Sequence, residues 1–117
     1  MASNGICHIE ISTANVHKGA DFYNKLFGWK LNFDMGDEYI LFQTEVGLGG
    51  GFTKSEKTGS GGLVIYVEVD NIDAYLIKAV DLGGKPVVSK TEIPNVGWFG
   101  HFADLDGNTI GLFTAQE

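Results

Sequence analysis

The sequence predicts an α+β fold with an internal repeat, two similar halves in one chain. Three observations carry this expectation. Short segments alternate apolar and polar residues as strands do, two segments carry apolar stripes at helical spacing, and the order strand, helix, three strands occurs twice. With 117 residues the chain makes one domain, 1–117, rather than two independently stable ones. Its modules span about 5–54 and 62–115.

Ile6 to Ser12 opens the first module as a strand, with Cys7, Ile9 and Ile11 on one face and His8 and Glu10 on the other. A helix follows. Val16, Ala20, Tyr23 and Phe27 fall on one stripe with Phe22 and Leu26 beside it, while Asn15 serves as N-cap and Gly28 as stop. Trp29 to Met35, Tyr39 to Glu45 and Leu48 to Thr53 then read as three strands, the first two joined by a turn at Gly36-Asp37. Gly47-Leu48-Gly49-Gly50-Gly51 lacks the Lys-Ser/Thr and the following helix of a phosphate loop. Its glycines are read as structural, letting the strand bend, bulge or approach its neighbour closely.

Lys54 to Gly62, polar and glycine-rich, reads as a solvated connection. Leu63 to Val69 is a more uniformly apolar strand than the first and is expected to be more buried. Asp70-Asn71 caps a helix with Ile72, Tyr75, Leu76 and Ala79 at its apolar positions, ended by Gly83-Gly84. Pro86 to Ser89 is a short strand, and Trp98 to Ala103 and Thr109 to Thr114 form a hairpin around Asp106-Gly107-Asn108.

Composition removes several classes of function. Hydrophobic residues make up 44% and charged residues 20%, which suits a packed globular chain and not a disordered one. Lysine and arginine number 8 against 15 acidic residues, a formal net charge of −7 with no basic cluster, so a nucleic-acid partner is not expected. The single Cys7 excludes an intrachain disulfide and reads as a buried, inert thiol. Met1 to Gly5 carries neither a basic region nor a long apolar stretch, so no signal peptide or membrane span is expected, and the cytoplasm is the expected compartment.

Phe22-Tyr23-Asn24-Lys25-Leu26-Phe27-Gly28-Trp29 resembles the helix ending of the vicinal-oxygen-chelate superfamily, which includes glyoxalases, bleomycin-resistance proteins and extradiol dioxygenases. Phe102-Ala103-Asp104-Leu105-Asp106-Gly107-Asn108-Thr109-Ile110-Gly111-Leu112 is similar to its C-terminal turn and last strand, and Glu92 to Trp98 to a segment of its small single-domain members. The resemblance runs from His8 to Phe113 and implies two βαβββ modules whose curved sheets pair around a central cavity, commonly in a homodimer. It does not imply one activity, because this fold hosts lyases, isomerases, dioxygenases and drug binders.

The resemblance also implies four positions for metal ligands, one on the first and last strand of each module. His8 matches the first, fifteen residues before Tyr23. The run Leu48 to Thr53 offers no histidine or carboxylate for the second, the third falls at or near Leu63, and the fourth falls at Gly111, where metal-dependent relatives carry Glu. One of four survives, too few to retain a divalent ion. No cofactor is expected. A divalent metal stays open only through His8 or a shifted set of His8, Glu10 and His101.

The candidate residues each have two readings. His8 is a hydrogen-bonded pocket residue or a metal ligand. Glu10, facing the same side, is a general base if that side is enclosed and a solvated or dimer-facing carboxylate if it is not. His101 stands where some relatives carry a pocket-facing Tyr, and is a ligand contact or a surface residue. It shares a face with Phe99, while Trp98, Gly100 and Phe102 take the other. Trp98 is assigned to a core or interface and His17 to solvent. Tyr39, Phe42, Phe52, Phe99 and Phe113 are available to line a cavity, with Tyr39 and Phe99 joining His8 and His101 as ligand contacts.

Three functions compete on this basis. The first is a small-molecule binder using the inter-sheet cavity without the full metal site. The second is a glyoxalase-like lyase or isomerase, with Glu10 as base and His8 or a divalent metal stabilising an enediolate. The third is an interaction module with a vestigial pocket.

Overall fold

The computed structural model describes residues 3–56, 59 and 62–116. Its elements are two helices and eight strands, α+β as the sequence predicts, in the order strand, helix, three strands, twice. They form two compact units, one of His8–Val64 and one that combines the residues through Cys7 with those from Ile65 onward. The connection expected from Lys54 to Gly62 falls in part outside the described residues.

In the His8–Val64 unit the elements are β1 (Ile6–Thr13, from His8 on), α1 (Val16–Phe27), β2 (Lys30–Asn32), β3 (Tyr39–Gln43) and β4 (Gly50–Lys54). The strand order is β2-β3-β4-β1, with β1 and β4 parallel and the other pairs antiparallel. Helix α1 starts where the Asn15 side chain accepts a bond from the Lys18 backbone N–H, and stops at Gly28, whose φ of 75° lies in the left-handed region. Val16 and Ala20 bury against Ile40, Phe42 and Phe52, with Ile11, Tyr23, Trp29 and Leu31 around them. Tyr23, Trp29 and Phe42 stack in series, at ring separations of 5.2 and 4.6 Å.

Two expectations for this unit need correction. Phe22, Leu26 and Phe27 are 60%, 58% and 59% exposed. The strand beside the end of α1 is β2, three residues long, so the last turn has little sheet to pack on. The strand read from Trp29 to Met35 is cut to those three residues by local bonds. The Asn32 side chain accepts from the Asp34 N–H, and Gly36 closes a turn onto the Phe33 carbonyl, both in competition with the ladder.

The other unit holds β5 (Leu63–Glu68, from Ile65 on), α2 (Ile72–Asp81), β6 (Lys85–Ile93), β7 (Gly97–Ala103) and β8 (Thr109–Ala115), in the order β5-β8-β7-β6. Here β5 and β8 are parallel, and the remaining pairs antiparallel. Asn71 caps α2 by accepting from the Ala74 N–H, and Gly83 follows its end at φ 105°. Val69, Ile72, Leu76 and Leu112 form the core, with Val67, Tyr75, Trp98 and Phe102 packed on it. Trp98 therefore belongs to the core side, with the Lys90 ammonium 5.2 Å from its ring centre.

Corrections arise here too. Leu63 and Ile65 are 61% and 39% exposed, so β5 is not the more buried strand. Only its end, at Val67 and beyond, reaches the α2 core, and an apolar run is buried only where something covers it. Strand β6 runs well past Ser89, and register shifts between Pro86 and Val88 and between Val88 and Thr91 break the alternation by which a strand is read. Cys7 is half-buried, and its thiol pKa is raised, first by desolvation and then by the Glu68 carboxylate. Among the described residues no helix is long and apolar enough to cross a membrane.

Candidate functional site

In each unit the helix covers one face of the sheet, so the side chains of opposite parity make up the other face. On that face of the His8–Val64 unit stand His8 and Glu10 on β1, Gly51 on β4 and Tyr39 on β3. Nε2 of His8 and the Tyr39 hydroxyl are 2.8 Å apart, and the two rings lie nearly parallel at 11°. Strand β4 runs between their strands. A Cβ at Gly51 would overlap the Tyr39 hydroxyl and ring carbons, so the phenol lies across the glycine on its way to the imidazole. Gly50, next to it, has no room for a side chain either, because a Cβ there would overlap the Ile9 carbonyl of β1.

The second unit repeats the device with the strands exchanged. Tyr66 is on β5 and His101 on β7, and both are in register with Gly111 on β8 between them. The Tyr66 hydroxyl is 2.8 Å from Nε2 of His101. A Cβ at Gly111 would lie 2.8 Å from Cγ of Tyr66 and closer still to its ring edge. Phe99 stands on the same face, its ring centre 5.5 Å from that of His101, and Phe113 is its register partner on β8. Burial holds both His8 and His101 below the ordinary imidazole value of 6.5, so each is neutral at neutral pH. In either pair the hydroxyl donates to Nε2 or the N–H donates to the phenol oxygen, according to the tautomer.

These residues do not suit a divalent ion. Gly111, where the resemblance calls for a carboxylate, is the seat of a tyrosine ring, and Gly51 is covered in the same way. Leu63 is exposed and apolar. Among the described residues no group of three or more His, Cys, Asp or Glu side chains is placed to hold a metal ion.

A model of the Glyoxalase/Bleomycin resistance protein/Dioxygenase superfamily matches residues 5–112. The chain belongs to this superfamily. A glyoxylase-like domain-containing protein of Didymella fabae is 30% identical over 118 residues, covering 93% of this chain and 92% of that protein. In structure the chain is similar to methylmalonyl-CoA epimerase from Mycobacterium tuberculosis, with a TM-score of 0.73, 16% identity and coverage of 97% and 89%. It is also similar to the Mn(II)-bound glyoxalase from Novosphingobium aromaticivorans, with a TM-score of 0.70 and 14% identity, over 97% of this chain and 39% of that one. At such identities the likeness concerns the fold.

Of the residues singled out in the sequence, the structure brings His8 to Tyr39 and sets Glu10 on their face, opposite Gly51 in the β1–β4 register. It sets Phe99 beside His101. Phe42 and Phe52 are not cavity residues, since they point from β3 and β4 into the α1 core. Tyr66 was the residue missed. Its signal was present, because it sits at the centre of an apolar strand where a phenol needs a partner once buried, and it is 6% exposed. His17 is at the surface, its ring stacked on Phe33 at 6.0 Å and 3.6 Å from the Asp37 carboxylate.

Proposed function

We propose that this superfamily member binds a small molecule on the helix-free faces of its sheets without the inherited metal. The observation that carries the reading is Tyr66 laid across Gly111 and bonded to His101, which puts an uncharged phenol–imidazole pair where a metal ligand would stand. Phe99 and Phe113 extend that face as aromatic surface, and together the four rings suit a flat, largely apolar ligand held by a few hydrogen bonds. The protein is then a cytoplasmic homodimer, with neither nucleic acid nor membrane as partner. Exposed Phe22, Leu26 and Phe27 on α1 give such a dimer apolar surface to bury.

Metal retention is the first test. After incubation with nickel, cobalt, zinc, manganese or ferrous iron and gel filtration, retention far below one ion per chain is expected. Near-stoichiometric retention that disappears in His8→Ala would overturn the reading. A thermal-shift screen of aromatic metabolites and cationic glycopeptides should then yield hits that weaken in Tyr66→Phe and His101→Ala.

One observation favours an enzyme as second reading. Glu10 is half-buried on the same face as His8, where a carboxylate could take a proton from a carbon next to a carbonyl while the imidazole stabilises the oxygen. A turnover that survives Glu10→Gln would exclude this assignment.

A further inference from the structure

A groove of about 410 Å³ opens on the other side of the second unit's sheet, between α2 and strands β5, β8 and β7. Its floor is the half-buried Val67 and Phe102, with the core residues Val69 and Leu112 at its base, and the parity of these side chains is opposite to that of Tyr66, Gly111 and His101. It is thus separate from the face assigned above. Along α2 its wall runs from Tyr75 through Ala79 to Leu82, about 10 Å at the helical rise.

The polar groups at the two ends of the groove differ. At the Tyr75 end they are hydrogen-bond donors. The Tyr75 hydroxyl accepts a bond from the Asn4 amide at 3.1 Å and gives its own proton to none of the described residues. Lys78 stands between the two ends, about one turn along α2 from Tyr75 and one from Leu82, and makes no ion pair among the described residues. The acidic residue of the lining, Asp104, belongs to the Leu82 end, because its neighbours Ala103 and Leu105 meet Gly84 and Gly83. Its carboxylate is engaged in its own turn, where it accepts from the Asp106 and Asn108 backbone N–H groups and from the Asn108 amide. An apolar channel with a phenol at one end, a cation partway along its wall and its carboxylate committed at the other end is complementary to an anionic amphiphile.

We propose that this groove is a second binding site, taking a medium-chain carboxylate whose head meets Tyr75 and Lys78 and whose tail lies over Val67, Ala79 and Phe102 toward Leu82 and Leu105. The probes are decanoate, decanol and decyltrimethylammonium, titrated below their micelle concentrations by calorimetry. Circular dichroism verifies the fold of each variant. Decanoate should bind once per chain, and both Lys78→Glu and replacement of its head by trimethylammonium should weaken binding by about tenfold or more. Ala79→Phe, which fills the groove from the helix, should abolish it. Equal binding of the anionic and cationic probes, indifference to Lys78→Glu, or no saturable binding of decanoate would overturn the proposal. So would self-association of the protein that Ala79→Phe removes, since a second copy would then be the occupant.

Discussion

The hydroxyl of Tyr66 sits 2.8 Å from Nε2 of His101, although a whole strand separates the two residues and Gly111 lies between them in register. Residues two strands apart have backbones about 10 Å from each other, so the phenol must pass over the middle strand to make this bond. Only a glycine there leaves the room. Tyr39 and His8 meet over Gly51 by the same means. Gly51 and Gly111, in the last strands of the two modules, are therefore explained by the rings above them.

Gly111→Ala should destabilise the protein by about 1–3 kcal/mol, the usual cost of forcing a methyl group into a filled space. Urea denaturation measures it. In a chain that also carries Tyr66→Ala the penalty should shrink, because the obstacle is gone. An undiminished penalty would mean that the ring is not what Gly111 accommodates.

Stability should fall on acidification through the histidine range. His8 and His101 are both held below 6.5 by burial, so the unfolded chain binds protons that the folded one refuses. Their contribution is complete above the unfolded value and is lost as pH drops through the folded ones. Urea midpoints between pH 7.5 and pH 5 should decline, with imidazole resonances of both residues titrating below that of a model peptide. A resonance of either histidine titrating above 6.5 would contradict the burial account.

The two phenylalanines Phe52 and Phe22 separate the buried and exposed sides of the first unit. Phe52 is fully buried, and Phe52→Ala should cost about 3–5 kcal/mol. Phe22→Ala should change stability by no more than about 0.5 kcal/mol in the monomer, since the side chain is mostly in solvent. A comparable loss from Phe22→Ala that grows with protein concentration would place that face in an oligomer contact.

Replacing either helix cap, Asn15→Ala or Asn71→Ala, should cost about 1 kcal/mol, because each side chain satisfies a backbone N–H of its first turn. Replacement by aspartate or serine should restore most of the loss. Thermal unfolding followed at 222 nm distinguishes the two outcomes.

By itself the sequence determined the α+β class, the order of the ten elements, both helix caps, and the placement of Phe99 with His101 opposite Trp98 and Phe102. Those features depend on period, on capping over three or four residues, and on residue type, all of which are local. Tertiary structure decided which apolar surfaces are covered, and so left Phe27 and Leu63 exposed while sending Phe42 and Phe52 into the α1 core. It also decided that Tyr66 would meet His101 and Tyr39 would meet His8, partners 35 and 31 residues apart in the chain. Such pairs depend on strand order and register, and shifting a strand by one residue turns its side chains to the opposite face. The donor-rimmed groove beneath α2 belongs to the same category, because its lining comes from five separate stretches of the chain.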